Sequence, residues 1–484
     1  MVLDSTGQNH HWGGIVNCLA KQAAICPGRV RGRVWLCALL LGILSAKGTA
    51  LGGSLKLTRA PGARVINLTG VGYFDEPSIA VNPLNPQQLV VAYQVPAHIV
   101  YSQDGGARWE LASGAAPSNY RVSGDVSVTF DNHGRAFLCY IAFDKLGTEN
   151  YWAHGATRNG VFVRRSPDGG RHWQRRAVPL LAHPTEPGIP FEDKPYIVAD
   201  NSHGPYAGNL YVGWTHFTLS KSVIYFSRST NSGKSWSQPI QISTVPGLPR
   251  DDNGALEGFT GTVGPHSRLY VAWADGQGIV FTSSTDGGKT FRTPRRVIDT
   301  APPYFKVEDV SRSNGFPVLG IDPHTGRLYV AWSDYRNGDV DVFVSTSSDH
   351  GQTWGPAVRV NSDPLHDGAD QFFQWLAVDP VSGAANVIFY DRRGDPHNRK
   401  ATLTLARSTN GGKSFVNYAW TRKAFDPRGD FIGDYTGLAA YANRVFGVWT
   451  QEAGRSLFHR ASGPPAAPRP FRRTLVRFGI ADFK

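Results

Sequence analysis

Short apolar runs that end in an aromatic residue recur along this chain. They are rich in Val, Leu, Ile and Tyr and are bounded by turn-forming residues, as buried strands are. Seven such runs end at Tyr93, Tyr140, Trp214, Trp273, Trp332, Tyr390 and Trp449. Another strand-like run precedes each of them, with openings at Asp75, Asp125, Asp193, Glu257, Asn314, Asp370 and Asp434. The pattern predicts an all-β protein made of repeated strands.

A turn motif, Ser-x-Asp/Asn-x-Gly-x-x-Trp/Phe, lies between strand-like runs six times, at intervals of about 60 residues, the length of a propeller blade. Its third position is occupied by Asp104, Asp168, Asn231, Asp286, Asp349 and Asn410. The Ser and Asp/Asn side chains can bond backbone amides of the turn, and glycine permits a positive φ there. Asn replaces Asp twice, and an amide can neither ionise nor transfer protons. We therefore interpret the motif as a hairpin fastener and not as a set of active sites.

Seven strand repeats favour a seven-bladed β-propeller over residues 63–462, with a six-bladed ring and an extra hairpin as the alternative. The last repeat, from Asp434 to about Ser462, has no turn motif and no obvious fourth strand. Ala63–Thr69 resembles the outer strands of other repeats, so we expect this N-terminal strand to join the last blade and close the ring. Residues 463–484, first Pro-rich and then basic, are predicted to be a C-terminal tail.

The N-terminal region, residues 1–50, has the pattern of a signal peptide. Arg29, Arg31 and Arg33 precede the apolar run Val34–Leu44, and small residues follow up to Ala50. The run is too short for a stable membrane span, although an uncleaved anchor is the alternative. We expect a secreted, periplasmic or cell-envelope protein. Cys139 is the one cysteine that follows this region, which excludes an internal disulfide.

The formal net charge is +12, but Lys and Arg are scattered along the chain. This charge suits either an anionic partner or an ordinary solvated surface. No phosphate-binding loop or serine nucleophile elbow occurs, the 15 histidines show no ligand spacing, and export argues against a nucleic-acid partner. No metal site is predicted, and we expect a monomer.

The six turns resemble the Asp-box, or bacterial neuraminidase repeat, S-x-D-x-G-x-T-W. The stretches DEPSIAVNP (75–83), FEDKPYIVAD (191–200) and GDYTGLAA (433–440) also look like those of bacterial sialidase-like proteins. The resemblance covers nearly all of the chain after residue 50. It implies a sialidase-superfamily propeller that hydrolyses a terminal sialic acid at the mouth of the central axis, without a cofactor.

The same resemblance implies four catalytic residues. Tyr435 would be the nucleophile and Glu257 its activating base, Asp125 the acid/base, and Arg312 one of the arginines that hold the substrate carboxylate. The family's first arginine should open the first repeat, where this chain reads FDEPS. Asp75 and Glu76 at that place would repel an anionic substrate.

The strand openings form an acidic set in addition to Asp125 and Glu257. Its other members are Asp75, Glu76, Glu192, Asp193, Asp370 and Asp434. If these residues face one mouth of the axis, they suit a cation, an amine or a neutral sugar, and a structural cation there is an alternative to no cofactor. The other interpretation is that they bond backbone amides at strand starts.

Two functions therefore stay open. One is an exo-acting glycoside hydrolase of sialidase type that acts on extracellular or cell-envelope glycan. The other is a non-catalytic propeller that binds glycan or protein as a scaffold. Family-like Glu257 and Tyr435 favour the first, and the missing arginine favours the second.

Overall fold

The computed structural model describes residues 56–113, 119–148, 151–183, 190–252, 254–301, 305–427, 431–453 and 473–484. The predicted signal peptide lies outside these residues. The described residues form 28 β-strands and a short 3₁₀ turn, Pro265–Ser267. Among them, no helix has the length and apolar character needed to cross a lipid bilayer.

The strands form seven antiparallel four-stranded sheets, numbered here as blades 1–7. Blade 1 contains β2 (Asp75–Val81), β3 (Leu89–Gln94), β4 (His98–Ser102) and β5 (Glu110–Leu111). Blade 2 contains β6 (Val122–Phe130), β7 (Ala136–Phe143), β8 (Asn159–Ser166) and β9 (Val178–His183). Blade 3 contains β10 (Phe191–Ala199), β11 (Leu210–Phe217), β12 (Ser222–Ser229) and β13 (Ile240–Gln241).

The other blades have the same order. Blade 4 contains β14 (Glu257–Val263), β15 (Leu269–Ala274), β16 (Gly278–Ser284) and β17 (Arg295–Asp299). Blade 5 contains β18 (Val318–Ile321), β19 (Leu328–Asp334), β20 (Asp341–Ser347) and β21 (Val358–Arg359). Blade 6 contains β22 (Gln371–Val378), β23 (Ala385–Asp391), β24 (Thr402–Ser408) and β25 (Val416–Ala419). Blade 7 contains β26 (Gly437–Tyr441), β27 (Arg444–Glu452), β28 (Thr474–Asp482) and β1 (Arg64–Asn67).

The blades are arranged as a closed ring. The first strand of each blade contacts the first strand of the next, and β26 contacts β2. The predicted all-β fold with seven blades is confirmed, and the six-bladed alternative is wrong. The aromatic residues of the second strands are buried, including Trp214, Trp273 and Trp332, where they fill the space between neighbouring sheets. The apolar pattern of the sequence thus places the core between blades, as in other propellers.

Blade 7 combines both ends of the folded region. Its strand order is β1-β28-β27-β26, and Val65 pairs with Gly479. The sequence analysis assigned Thr474–Asp482 to the tail, but these residues form β28, the third strand of this blade. Most of the side chains in TLVRFGIAD are buried, because the segment is apolar apart from Thr474, Arg477 and the terminal Asp482. The predicted limit of the propeller at residue 462 is corrected accordingly.

The six turn motifs share one hydrogen-bond pattern. In each, the serine hydroxyl donates to Oδ1 of the Asp or Asn two residues on, at 2.7–3.0 Å, and accepts from the glycine amide at 2.9–3.0 Å. In the turn with Asp, the second oxygen of Asp286 accepts from the Thr290 hydroxyl. In an equivalent turn with Asn, the side-chain nitrogen of Asn231 donates to the Ser235 hydroxyl at 2.7 Å. These contacts stay within the turn, so either residue type can hold it.

We expect Ser284→Ala to lower the free energy of unfolding by about 1–3 kcal/mol, because it leaves the buried Gly288 amide without its acceptor. Asp286→Asn should cost much less, since Asn occupies the same place in two other turns. Urea denaturation of both variants measures the difference. Equal losses in the two variants would contradict this account of the turn.

Candidate functional site at the axial mouth

β-Bulges redirect side chains near the start of the first strands. The pairing register shifts after Asp75, Gly124, Asp193, Glu257 and Phe372, in blades 1, 2, 3, 4 and 6. A bulge inserts one extra residue, bends the strand and re-aims its side chain.

Each bulge holds a residue with positive φ. In three consecutive blades this residue has an ionisable side chain: Glu76 has a φ of 48°, Asp125 of 45° and Lys194 of 50°. In blade 4 it is Gly258, and in blade 6 it is Phe373, which packs into the core. Left-handed conformations of residues other than glycine are costly and concentrate at functional sites. The face of blades 1–3 that carries these three ionisable side chains is therefore a candidate functional site.

A cavity of about 750 Å³, called the axial cavity below, is lined by the bulge residues Glu76, Asp125 and Lys194 of blades 1–3. Its charged lining residues are Glu76, Asp125, Asp193, Lys194, Asp251, Asp252, Lys306, Arg312 and Asp434. Its apolar lining includes Trp152, Phe305 and Phe431. A concave site with an apolar wall and convergent polar groups is the usual form of a ligand pocket. Carboxyl groups outnumber the cationic groups in the lining.

Two cationic side chains of this cavity, Lys194 and Arg312, are paired with carboxylates of the protein itself. The Lys194 ammonium donates to Asp434 at 2.6 Å, and the Arg312 guanidinium pairs with both Asp434 and Asp251. Burial opposes ionisation of Asp434, but Arg312 and Lys194 lower its pKa to about 2. The positive charges of Lys194 and Arg312 are thus neutralised locally.

Gln94, at the end of β3, joins two carboxyl residues of neighbouring blades. Its amide nitrogen donates to Glu76 at 2.5 Å, and its carbonyl oxygen accepts from the backbone amide of Asp125 at 2.7 Å. A β-carbon at Gly124 would lie 1.9 Å from that oxygen, so any other residue there would displace the Gln94 side chain from this position. Burial, and next the charge of Asp125, raises the pKa of Glu76 well above its ordinary value. Glu76 therefore holds a proton under conditions in which an exposed Glu is ionised.

Two carboxyl pairs continue the cluster. Asp193 is hydrogen-bonded to Asp125, and Glu257 to Asp251. Burial, followed by the neighbouring charge of the partner, raises the pKa of Asp193 and of Glu257. Carboxylate oxygens of Asp193, Asp251 and Glu257 lie within 4.8 Å of one another, a spacing at which they could hold a cation.

Asp75 gives a pH-dependent prediction. Burial, with the charges of Asp125 and Asp434, raises its pKa from 3.8 to about 7, although its hydrogen bond to Gln94 acts in the opposite direction. The folded protein therefore keeps a proton that the unfolded chain releases, so stability falls as the pH rises from about 4 to 7. The shift corresponds to about 2–4 kcal/mol.

We expect Asp75→Asn to remove this part of the pH dependence and to be more stable than the unchanged protein at pH 8. Denaturant unfolding at pH 4.5 and pH 8 measures the effect. A difference between the two proteins that is the same at both pH values would contradict it.

The four predicted catalytic residues lie in different surroundings. Asp125 and Arg312 line the axial cavity. Glu257 is buried beside Asp251. Tyr435 lines a second cavity of about 50 Å³ with Tyr196 and Trp375, and its hydroxyl lies 3.4 Å from the Val126 carbonyl oxygen. Burial raises the pKa of Tyr435 well above its ordinary value, which opposes its use as a phenolate.

The predicted acidic set also divides. Glu76, Asp193 and Asp434 line the cavity, and Asp75 lies beside Gln94. Asp370 instead accepts from the Val340 amide at 3.1 Å and from Asn398 at 2.7 Å, the backbone role that was the other interpretation. Glu192 is bound by His183, His216 and Trp214.

The sequence analysis missed Lys194, Gln94 and Asp251. Lys194 occupies the bulge position of Glu76 and Asp125, so an alignment of the three strand openings could have found it. Asp251 lies in the connection between blades 3 and 4, outside any repeat, and Gln94 carries no signal of its own. The histidines looked unrelated in sequence, yet His183 and His216 meet at one carboxylate.

Similarity to known proteins is partial. The chain is 27% identical over 209 residues to a sialidase of Micromonospora viridifaciens; the match covers 42% of this chain and 25% of that protein, so it spans about a quarter of the relative. No protein-family model matches the chain.

Among solved structures, the Hadza microbial sialidase Hz136 has 15% identity and a TM-score of 0.43, covering 75% of this chain and 70% of its own. A PL25 ulvan lyase has 12% identity and a TM-score of 0.48, covering 79% and 93%. Likeness at these levels says nothing about the reaction. The chain is a seven-bladed β-propeller that is similar in sequence to a sialidase over part of its length.

Proposed function

We propose that this protein binds a neutral or amine-bearing glycan in the axial cavity and hydrolyses a terminal glycosidic bond there. The observation that carries the proposal is the unit Glu76–Gln94–Asp125, in which one amide positions two carboxyl residues at the same cavity wall. Glycoside hydrolysis requires two carboxyl groups that flank the scissile bond. The Asp125 side chain is half-buried, and Trp152 and Phe431 supply an apolar wall for a sugar face.

The charge of the cavity supports a substrate other than a sialoside. The guanidinium of Arg312 is already paired with Asp434 and Asp251, and Lys194 is bound to Asp434. An added carboxylate would meet several carboxyl groups without a free arginine fork to hold it. A neutral sugar avoids this repulsion, and the protonated amine of an amino sugar would be attracted to the same carboxyl groups.

The proposed roles follow from protonation. Glu76 retains its proton because of burial and the charge of Asp125, so it would donate that proton to the leaving oxygen. Asp125, which lines the same wall, would supply the second carboxyl group. Gln94 would be a positioning residue, because it holds Glu76 and the Asp125 backbone together. The predicted leader supports action outside the cytoplasm, on extracellular or cell-envelope glycan.

A scaffold function is the second candidate. Both carboxyl oxygens of Glu76 already accept hydrogen bonds, from Gln94 and from the Asp434 amide at 2.9 Å. Because both of its oxygens are engaged in these hydrogen bonds, Glu76 could have a structural role. The protein would then be a propeller that binds glycan or protein without turnover.

The test is hydrolysis by the full chain of fluorogenic neutral glycosides, glucosaminides and a sialoside. We expect turnover of a neutral or amino glycoside and none of the sialoside. Sialoside hydrolysis that disappears in Tyr435→Phe would overturn the proposal in favour of a sialidase. Glycan-array binding without turnover of any substrate would favour the scaffold.

A further inference from the structure

A second cluster of chemically active side chains lies between blades 2 and 3, outside the lining of the axial cavity. His183 ends β9, while Glu192 and His216 face each other across β10 and β11. His183 Nε2 lies 2.5 Å from Glu192 Oε1, and His216 Nδ1 lies 2.7 Å from the same oxygen. The two nitrogens and the carboxylate oxygen are all within 4.8 Å of one another.

Surrounding residues fix this geometry. The other oxygen of Glu192 accepts from Trp214 Nε1 at 2.5 Å, and the Glu192 amide donates to Asn159 at 3.1 Å. The His216 ring is stacked on Tyr225, with centroids 4.1 Å apart and planes within 12°. Such supporting contacts orient the ligands of metal sites and set their affinity.

The three side chains of the cluster are buried to different degrees. The Glu192 side chain is fully buried, and the His216 side chain is nearly so. The His183 side chain is 14% exposed. His183 is therefore the most exposed of the three side chains.

We propose that His183, Glu192 and His216 bind a divalent transition-metal ion, with Zn²⁺ as the best fit. Two imidazole nitrogens and one carboxylate oxygen form a ligand set typical of Zn²⁺ with an open fourth position. Ca²⁺ and Mg²⁺ prefer oxygen ligands only. On binding, the ion takes the place of the protons on His183 Nε2 and His216 Nδ1, and each displaced proton moves to the other nitrogen of its ring or leaves to solvent.

The required movement is small. With bonds of about 2.0–2.1 Å in tetrahedral geometry, the nitrogen–oxygen separations would widen to about 3.3 Å. Trp214 can keep its contact with the other carboxylate oxygen meanwhile. A bound ion would join the outer strand of blade 2 to the first two strands of blade 3. Since Asp193 follows Glu192, it would also fix the adjacent wall of the axial cavity.

The test is titration of the chelator-treated full chain with Zn²⁺ in a calorimeter, and with Co²⁺ followed by absorption spectroscopy. We expect one ion per chain and a Co²⁺ spectrum of a four-coordinate nitrogen–oxygen site. His183→Gln and His216→Gln should weaken binding by at least about 100-fold. His172→Gln is the matched control, because His172 also pairs with a carboxylate, Asp168, at 2.6 Å, but on the exposed surface.

Glutamine can still donate to Glu192, so circular dichroism should show that the variants are folded. If His216→Gln does not fold, the more exposed His183→Gln decides. Absence of stoichiometric binding to the unchanged chain, or equal binding by His183→Gln and the control, would overturn the proposal.

Discussion

Replacing Glu76 by glutamine should lower kcat for a neutral or amino glycoside by about 10²–10⁴-fold, the usual contribution of general acid catalysis. Glutamine keeps the size of the side chain and can still accept from the Asp434 amide, but it has no acidic proton for the leaving group. The measurement is steady-state hydrolysis, with thermal unfolding to show that the variant is folded. The control is Glu308→Gln, since the Glu308 side chain is 61% exposed and lies outside the cavity lining. It should leave kcat unchanged.

The pH dependence of activity distinguishes two roles of Glu76, that of the proton donor and that of a structural residue. Because the pKa of Glu76 is raised, activity should persist to a higher pH than an exposed Glu would allow, and it should fall as the pH rises further and Glu76 loses its proton. Glu76→Gln should abolish this alkaline limb together with most of the rate. A variant with full activity, or a residual rate with the same alkaline limb, would rule out Glu76 as the proton donor.

Replacing Lys194 by methionine should lower the free energy of unfolding by about 3–5 kcal/mol, because it leaves Asp434 as a buried charge with one partner fewer. The side chains of Lys194 and Asp434 are only 10% and 2% exposed, and the negative charge of Asp125 also stabilises the ammonium. Urea denaturation near pH 7 measures the loss. Lys306→Met is the matched control, since this lysine lines the same cavity but its side chain is 84% exposed.

A second change identifies the cause. Asp434→Asn in the Lys194→Met background should restore part of the lost stability, since it removes a buried charge that has lost one of its two cationic partners, while Arg312 keeps its contact with Asp251. If Lys194→Met is as stable as the Lys306→Met control, or if the double variant is less stable than the single one, the ion pair does not stabilise the mouth in the proposed way.

The fold could be predicted because its signal is repeated. The aromatic strand ends at Trp214, Trp273 and Trp332 recur at equivalent places, and their burial between sheets follows from hydrophobicity alone. β28 was missed because residues 453–473 separate it from β27, and because a basic, Pro-rich context obscured its apolar pattern.

The site was only partly predictable, since its contacts depend on the tertiary structure. Asp125 and Arg312 were identified and line the cavity. Lys194 lines the same cavity from a bulge, where its φ is 50°, and this local geometry was not expected from the sequence. Tyr435 occupies the position that the resemblance implies, but its neighbours place it in the smaller cavity. His183 and His216 come together only because blades 2 and 3 pack side by side.

The shared last blade sets the order in which this molecule can be completed. The amide of Phe74 bonds the side chain of Thr474, 400 positions further along the chain, and Leu68 bonds the Val476 carbonyl oxygen at 2.8 Å. While the polypeptide is still being synthesised, β1 has no partner strand, and blade 1 lacks one neighbour. Blades 1–6 can assemble progressively from local hairpins, but the final step joins distant segments and should be slow. The ring can therefore close only after β28, which ends at Asp482, has left the exit tunnel of the ribosome.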